Sequence, residues 1–385
     1  NPAHSLPDQA TVRRALERAE FVVLQEAFAH TATCAYADLL LPASTWGEKS
    51  GTVTNSERRI SRVRAAVAPP GEARHDWAIA VDFAQRLERA LERPATLFPY
   101  TTPESIWNEH RDSTQGRDLD ISGLSYALLD TAPQQWPLAA GRTNGQARLY
   151  EDGVFPTPDG RARFIANTHQ GVAQARSARY PFSLTTGRLR DQWHGMSRTG
   201  NVGRLFAQVS EPAVHMHPQD LARHSLQDGD LVRLSSPQGS LIVPVQGGDS
   251  VAPCQLFLPM HWGEECVGGN GSTGVNALIS PAFCPQSKQP EFKHTPVQLR
   301  RVELPWSLLG AAWLPAEQLF TARAALRHLM PQFAFATCVP FANGASLAQA
   351  DTERQGLLFR AAHGQAAVPA LLHAVQSALG LDQGD

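Results

Sequence analysis

LVRLSSPQGSLIVPV, residues 231–245, is the stretch on which the fold turns. Two apolar runs, Leu231-Val-Arg-Leu-Ser and Leu241-Ile-Val-Pro-Val, flank Ser236-Pro-Gln-Gly, whose proline and glycine are turn residues. The pattern predicts a hairpin. Just upstream, Asp228-Gly-Asp is a second turn, and Pro218-Gln-Asp-Leu-Ala-Arg-His is a short helix opened by its proline. Tyr180-Pro-Phe-Ser-Leu-Thr, Cys254-Gln-Leu-Phe-Leu-Pro and Pro296-Val-Gln-Leu-Arg-Arg-Val add further strand-like runs. Short strands around one small helix predict a closed β-barrel over residues 176–304 rather than an open parallel sheet.

On either side the texture changes. Residues 1–92 read as α/β. Asp8 can cap a helix beginning near Thr11, Phe21-Val-Val-Leu is a short buried strand, and Ala37-Asp-Leu-Leu-Leu-Pro is another apolar run stopped by Pro42. Asp76 is a plausible cap for a helix over 76–92. Residues 93–175 hold many Pro, Gly, Thr and Gln, and read as a long connection with short helices such as that around Pro103–His110. Residues 305–385 turn Ala- and Leu-rich, which predicts a helical C-terminal extension with helices over Pro315–Leu329 and Val368–Leu379.

The 385 residues suffice for two or three domains, and 42% apolar with 18% charged residues is ordinary for a globular protein. A net charge of −2 offers no electrostatic case for nucleic acid or a membrane surface. No apolar run has the length of a transmembrane helix. The first residues lack both an initiator Met and the apolar core of a signal peptide, so the chain reads as an excised piece. Its five cysteines form no C-x-x-C pair and fit no zinc or iron–sulfur spacing, which leaves them as scattered reduced thiols.

LTTGRLRDQWHGMSRTG, residues 184–200, follows a predicted strand and is crowded with donors. Thr185, Thr186 and Gly187 can offer backbone and hydroxyl groups to a pyrophosphate, Arg188 and Arg190 can supply charge, and Trp193 can stack on a flat ring. The bland alternative is a strand-to-loop corner with surface arginines. WGEKSGTVTNSERR, 46–59, could use Lys49 as a point charge and Asn55 and Glu57 to read a base or order the loop. It could equally be a solvated loop with Arg58 and Arg59 in salt bridges. Met260-His-Trp-Gly-Glu-Glu-Cys with Gly268-Gly-Asn-Gly-Ser, and Pro285–Lys293, are further polar loops. His215-x-His217 has no third ligand at a suitable spacing and reads as a strand with exposed histidines. Neither a G-x-G-x-x-G nucleotide turn nor a P-loop is present.

Together these segments, with LLLPASTWGEKSGTVTNSERRIS (39–61), PPGEARHDW (69–77) and SPAFCPQSKQPEFK (280–293), resemble the C-terminal half of a bis-molybdopterin-guanine-dinucleotide (bis-MGD) oxidoreductase of the DMSO reductase superfamily. Within it the chain is most similar to the bacterial assimilatory nitrate reductases. The resemblance implies an α/β layer followed by a double-psi-type β-barrel that closes over the cofactor. It implies a Mo-bis-MGD cofactor, with an iron–sulfur cluster bound by an N-terminal part not visible here. Carried over residue by residue, it assigns Gln25 and Glu26 to a guanosine portion and Lys49 and Asp76 to cofactor binding. It assigns Thr186, Gly187, Arg188, Gln192, Trp193, His194 and Gly195 to the loop lining pterin and phosphates, and Trp262, Asn276 and Lys293 to later contacts. His194 is the candidate to approach the metal centre, and no metal ligand is assigned in this chain.

The implied reaction is reduction of nitrate to nitrite by oxygen-atom transfer, in the cytoplasm, with electrons from a donor protein or reductase subunit. Neither nucleic acid nor a membrane is expected as a partner. A formate dehydrogenase of the same superfamily shares the T-G-R…W-H loop and stays open. So does a structural electron-transfer subunit that has lost its cofactor, although Lys49, Asp76, Arg188, Trp193, His194 and Lys293 together argue against that loss.

Overall fold

The computed structural model describes residues 1–269, 273–342, 354–366 and 368–381. The chain forms two compact units. The barrel unit holds residues 1–22, 30–38 and 170–385, and the second holds 23–29 and 39–169. This division cuts across the expected 1–92 segment, because the first helices pack with the barrel. They are α1 (Pro2–Ser5) and α2 (Gln9–Arg18). Asp8 caps α2 as predicted, its carboxylate accepting the Thr11 N–H from a left-handed backbone that Asp tolerates. The amide of Asn276 holds the His4 carbonyl at 2.8 Å, which ties this helical lead to the barrel loops.

The second unit begins with β1 (Val23–Glu26), which pairs in parallel with β2 (Leu39–Pro42). The expected strand at 21–24 therefore starts two residues late. Nor is it buried: Phe21, Val23, Leu39 and Leu40 are all exposed, since two strands alone cannot cover their apolar faces. A hairpin follows, β3 (Gly51–Thr54) with β4 (Arg59–Val63). The Asn55 side-chain oxygen accepts the N–H groups of Glu57 and Arg59, so this asparagine orders the turn. Arg58 donates to the carbonyls of Trp136, Gln146 and Ala147 rather than entering a salt bridge.

Helix α3 (Asp76–Ala90) comes next, then α4 (Pro103–Ser113), α5 (Tyr126–Thr131) and the short β5 (Gln134–Gln135) that extends the hairpin. Residues 103–138 are therefore more than a connection. Ile60 of β4 packs with Trp107, Leu124, Tyr126, Leu129 and Leu138 into a core of their own. The Arg62 guanidinium lies 3.7 Å from the Tyr126 ring centroid and pairs with Asp130, which pins α5 to the hairpin. From 139 to 169 no helix or strand forms, as the Pro/Gly-rich composition predicts.

The barrel is closed and six-stranded. Its strands are β6 (Phe182–Gly187), β7 (Val214–Met216), β8 (Leu231–Ser235), β9 (Ser240–Gly247), β10 (Gln255–Pro259) and β12 (Thr295–Arg301), with α6 (Pro218–Arg223) after β7 and β11 (Val267–Gly268) outside the ring. The order is β10-β6-β12-β8-β9-β7, with β10–β6 and β7–β9 parallel and the rest antiparallel. The β8–β9 hairpin turns at Ser236–Gly239 as expected. Alternate residues point inward: Phe182 and Leu184, Val232 and Leu234, Leu256 and Leu258, Val297 and Leu299 are all buried. His217 accepts the Gln219 N–H at the start of α6, so this histidine is a helix cap.

The two helices predicted in the last segment are present as α7 (Ala316–Leu329) and α8 (Pro369–Ala378), but they lie on a sheet that the sequence reading missed. Its order is β11, β14 (Phe335–Phe341), β15 (Arg354–His363) and β13 (Trp306–Pro315), all antiparallel. Gly and Ala have low strand propensity, and Gly310, Ala311 and Ala312 disguised the period-two pattern of β13. Leu319 and Leu326 of α7 and Val375 of α8 close over Phe333, Leu357 and Phe359. Among the described residues no helix is long and apolar enough to cross a membrane.

Phe359 is fully buried at the centre of this layer, T-shaped against Phe333. Phe359→Ala is expected to lower stability by about 3–5 kcal/mol in chemical denaturation. A loss below about 1 kcal/mol would show that the sheet does not carry the layer.

Candidate functional site

In the second unit the structure gathers three of the four expected residues. Gln25 and Glu26 are the last residues of β1 rather than following it, and Asp76 opens α3. Asp76 is not the N-cap, which is His75; it is the first helical residue, where a carboxylate is favoured by the helix dipole. Its two oxygens accept from the Gln25 amide and the Lys49 ammonium, each at 2.7 Å. Burial alone would push the Asp76 carboxyl up, but these two hydrogen bonds and the Lys49 charge outweigh it and hold the carboxyl below its ordinary value. Lys49 also lies 5.0 Å from the Trp46 ring centroid. Its charge is thus already compensated, and what this cluster presents is an ordered acid flanked by an amide. Glu26 stands apart, accepting the N–H of its neighbour Ala27.

In the barrel unit the second set lies around the end of β6. Thr186 is buried; its hydroxyl donates to the Phe292 carbonyl, and its own carbonyl accepts from the Lys293 ammonium at 2.6 Å. Gly187 is required by contact, because a Cβ there would stand 2.7 Å from the Phe257 ring. The loop that follows is held from inside by His261, which is fully buried. The Leu189 N–H donates to its Nε2 at 2.8 Å, and its Nδ1 donates to the His194 carbonyl at 2.7 Å. Accepting at Nε2 while donating at Nδ1 requires the neutral ring, and burial pushes its pKa down against the raising effect of the bond to the His194 carbonyl.

Between these two anchors the loop presents its chemistry. Trp193 is 46% exposed. The guanidiniums of Arg188 and Arg198 lie 5.7 and 5.4 Å from its ring centroid, and the His194 ring stands edge-on at 4.6 Å. Neither arginine has a carboxylate partner among the described residues. Arg190 differs, because Asp191 takes its guanidinium in a two-pronged bond. Partial burial, then Arg188 and Arg198, lower the His194 pKa, so that ring is neutral at neutral pH. His194 and Met196 both take left-handed backbone (φ 40° and 58°) around Gly195, a costly conformation that the surrounding bonds must impose.

The remaining expected residues lie deeper. Trp262 is completely buried, T-shaped against Phe206, with its indole N–H unpartnered. Gln192 is buried and donates to the Leu205 carbonyl, and Asn276 donates to the His4 carbonyl. Asn270, Gly271 and Ser272 of the expected Gly-rich loop lie outside the described residues. Sequence reasoning missed His261, and also Arg323 and Arg327 of α7. Arg323 was findable: it falls with Leu319, Ala322 and Leu326 on the apolar face of that helix, where an arginine is out of place. No group of three or more His, Cys, Asp or Glu that could hold a metal occurs among the described residues.

Two family models match the chain. A molybdopterin oxidoreductase model covers residues 1–86, and a molydopterin dinucleotide binding domain covers 182–296. The nitrate reductase of Klebsiella oxytoca is 38% identical over 325 residues, 82% of this chain and 35% of that protein. The assimilatory nitrate reductase catalytic subunit of Bacillus subtilis is 34% identical over 78% of this chain and 41% of its own length. The F420-dependent formate dehydrogenase subunit alpha of Methanocaldococcus jannaschii is 32% identical over 78% and 42%. The chain spans about two fifths of the length of these relatives. The solved acetylene hydratase of Pelobacter acetylenicus shares the fold, with a TM-score of 0.56 at 17% identity, over 77% of this chain and 42% of that one.

Glu265 supports the loop that carries His261 and Trp262. One oxygen accepts the Ala32 N–H at 2.8 Å, and the His4 Nδ1 stands 3.7 Å from the other. Burial would raise this carboxyl, but His4 and the backbone donors bring it down to about 2 from the ordinary 4.5. A depressed carboxylate contributes stability above its unfolded pKa and loses it as pH falls toward the folded one. Stability should therefore drop between about pH 5 and pH 3 in wild type and less steeply in Glu265→Gln. Parallel denaturation midpoints across that window would contradict the assignment.

Proposed function

The chain belongs to the molybdopterin oxidoreductases, and from that footing we propose that it supplies part of the cradle for a Mo-bis-MGD cofactor in a nitrate reductase. The observation that carries the proposal is the Trp193 loop, where an exposed indole is flanked by two guanidiniums that have no carboxylate partner among the described residues. That donor set fits a ligand combining phosphates with flat fused rings. The buried Trp262 N–H, unpartnered in the structure, is a further donor beneath this loop. When bound, the molybdenum centre supplies the two-electron oxygen-atom transfer that turns nitrate into nitrite.

This chain's residues bind and orient. Arg188 and Arg198 attract phosphate oxygens, and Trp193 offers its face to a ring. Lys293 is fixed by the Thr186 carbonyl and has two further N–H groups to donate. His194, neutral and exposed, can donate or accept a hydrogen bond at the cofactor without adding charge. In the second unit the Asp76 carboxylate suits the N–H edge of a guanine, with Gln25 and Lys49 holding it ionised. Gln192, buried, and Asn276, half-buried, each donate to a backbone carbonyl and help shape the cradle.

The relatives named nitrate reductase favour nitrate as substrate, and the one named assimilatory favours assimilation as the role; the cytoplasm as location and a separate electron donor belong to the same proposal. An iron–sulfur cluster outside this chain would complete the electron path. The relative from M. jannaschii keeps formate oxidation as the second reading.

The complete protein carrying this chain, assayed with a reduced dye, is expected to form nitrite from nitrate and to hold about one molybdenum per chain. Formate turnover in place of nitrite would move the substrate and keep the cradle. Lys293→Ala and Asp76→Ala should each lower molybdenum and pterin content, and unchanged content in both would refute the residue assignments.

A further inference from the structure

Arg323 projects from α7 with only 4% of its surface exposed, and it meets no carboxylate among the described residues. Its Nη1 donates to the Gly200 carbonyl and to the Asn201 side-chain oxygen, both at 2.8 Å, and its Nη2 donates to the Cys266 sulfur at 3.3 Å. Gly200 and Asn201 end the Trp193 loop. The same two residues reach back into it, since the Gly200 N–H donates to the Met196 carbonyl at 2.7 Å and the Asn201 amide to the Ser197 carbonyl at 2.8 Å. Just before them, the Thr199 hydroxyl accepts the Trp193 N–H. Gly200 is also the point of closest approach, where a Cβ would stand 2.9 Å from that of Met196. One turn further along α7, Arg327 donates to the Glu265 carbonyl, beside Cys266.

We propose that Arg323 is a positioning residue: it fastens the C-terminal layer to the exit of the Trp193 loop and so fixes the left-handed His194–Met196 segment in binding geometry. A buried guanidinium that meets no carboxylate among the described residues is costly, and its two shortest bonds both go to the exit of the Trp193 loop. The energetic asymmetry favours this role. Removing Arg323 takes the donor away from the Gly200 carbonyl and the Asn201 side-chain oxygen, and it cuts this link between the loop and α7. The proposal rests on the cofactor reading for its functional meaning, but the loop geometry it asserts can be tested alone.

The test uses Arg323→Lys, Arg323→Gln and the milder Asn201→Ala in the complete protein, after isolation of the folded fraction. Two quantities are read: pterin and molybdenum retained through repeated desalting, and acrylamide quenching of Trp193, obtained by difference from Trp193→Phe versions. The expected result is quenching at Trp193 raised at least about twofold and cofactor loss accelerated about tenfold, with Arg323→Lys intermediate because one donor survives. Folded variants with unchanged quenching and unchanged retention would overturn the proposal, even if their melting temperatures fall. If wild type carries no pterin, the cofactor reading fails, and the quenching comparison alone decides the positioning role.

Discussion

Strand β6 pairs on both edges, parallel to β10 and antiparallel to β12, and that double pairing closes the barrel. Everything proposed for the first unit follows from it. The end of β6 is fixed in three dimensions by its neighbours, so the residues after Gly187 emerge at a defined point. β10 delivers His261 and Trp262 beneath the same point, because its last residue, Pro259, is in register with Gly187. Lys293 reaches the Thr186 carbonyl from the segment that leads into β12. The barrel thus aims three separated stretches of sequence at one strand end, which is how a rigid scaffold makes a precise site from loops.

Electrostatics around that strand end are uneven in an informative way. Acids in the unit are mostly matched: Asp191 by Arg190, Glu264 by Arg13, Glu211 by Arg360. The cations facing the Trp193 loop are not. Arg188 and Arg198 share an indole, while Arg323 is bonded by its two terminal nitrogens to neutral oxygens and a sulfur. The surplus is felt nearby, since burial first and then Arg327 and Arg323 push the His30 imidazole down to about 4. A loop left with net positive potential is prepared for an anion and disfavours a cation.

Much of the architecture was legible in the sequence. The barrel was written in period-two runs broken by Asp-Gly and Ser-Pro-Gln-Gly, and nearly every strand fell within a residue or two of its predicted place. The Asp8 cap and the Pro218 helix start were readable for the same reason, as local chemistry decides them. The sheet of the last segment was not. Alternation in Trp306–Pro315 is carried by Ala, Gly and Leu, whose contrast is weak, and the partner strand lies far along the chain. Burial of β1 was misjudged because an apolar run says nothing about whether a covering layer is present. In the site, residue types pointed to Lys49 and Asp76 but not to their pairing, and His261 was passed over because its role is a matter of two backbone groups supplied by the folded loop.

The interleaving of the two units bears on how the chain acquires its structure. The barrel unit is discontinuous: its opening helices are separated from its strands by the whole of residues 39–169. The second unit draws nearly all its residues from that one uninterrupted stretch. Contacts between close neighbours form first, while those that close long loops wait on chain entropy. Emerging from a ribosome, residues 39–169 can therefore mature while α1 and α2 still lack the barrel loops they pack against. Asn276 cannot clasp the His4 carbonyl until the residues between them have been made, so this contact closes late and the long loop it spans is bridged only then.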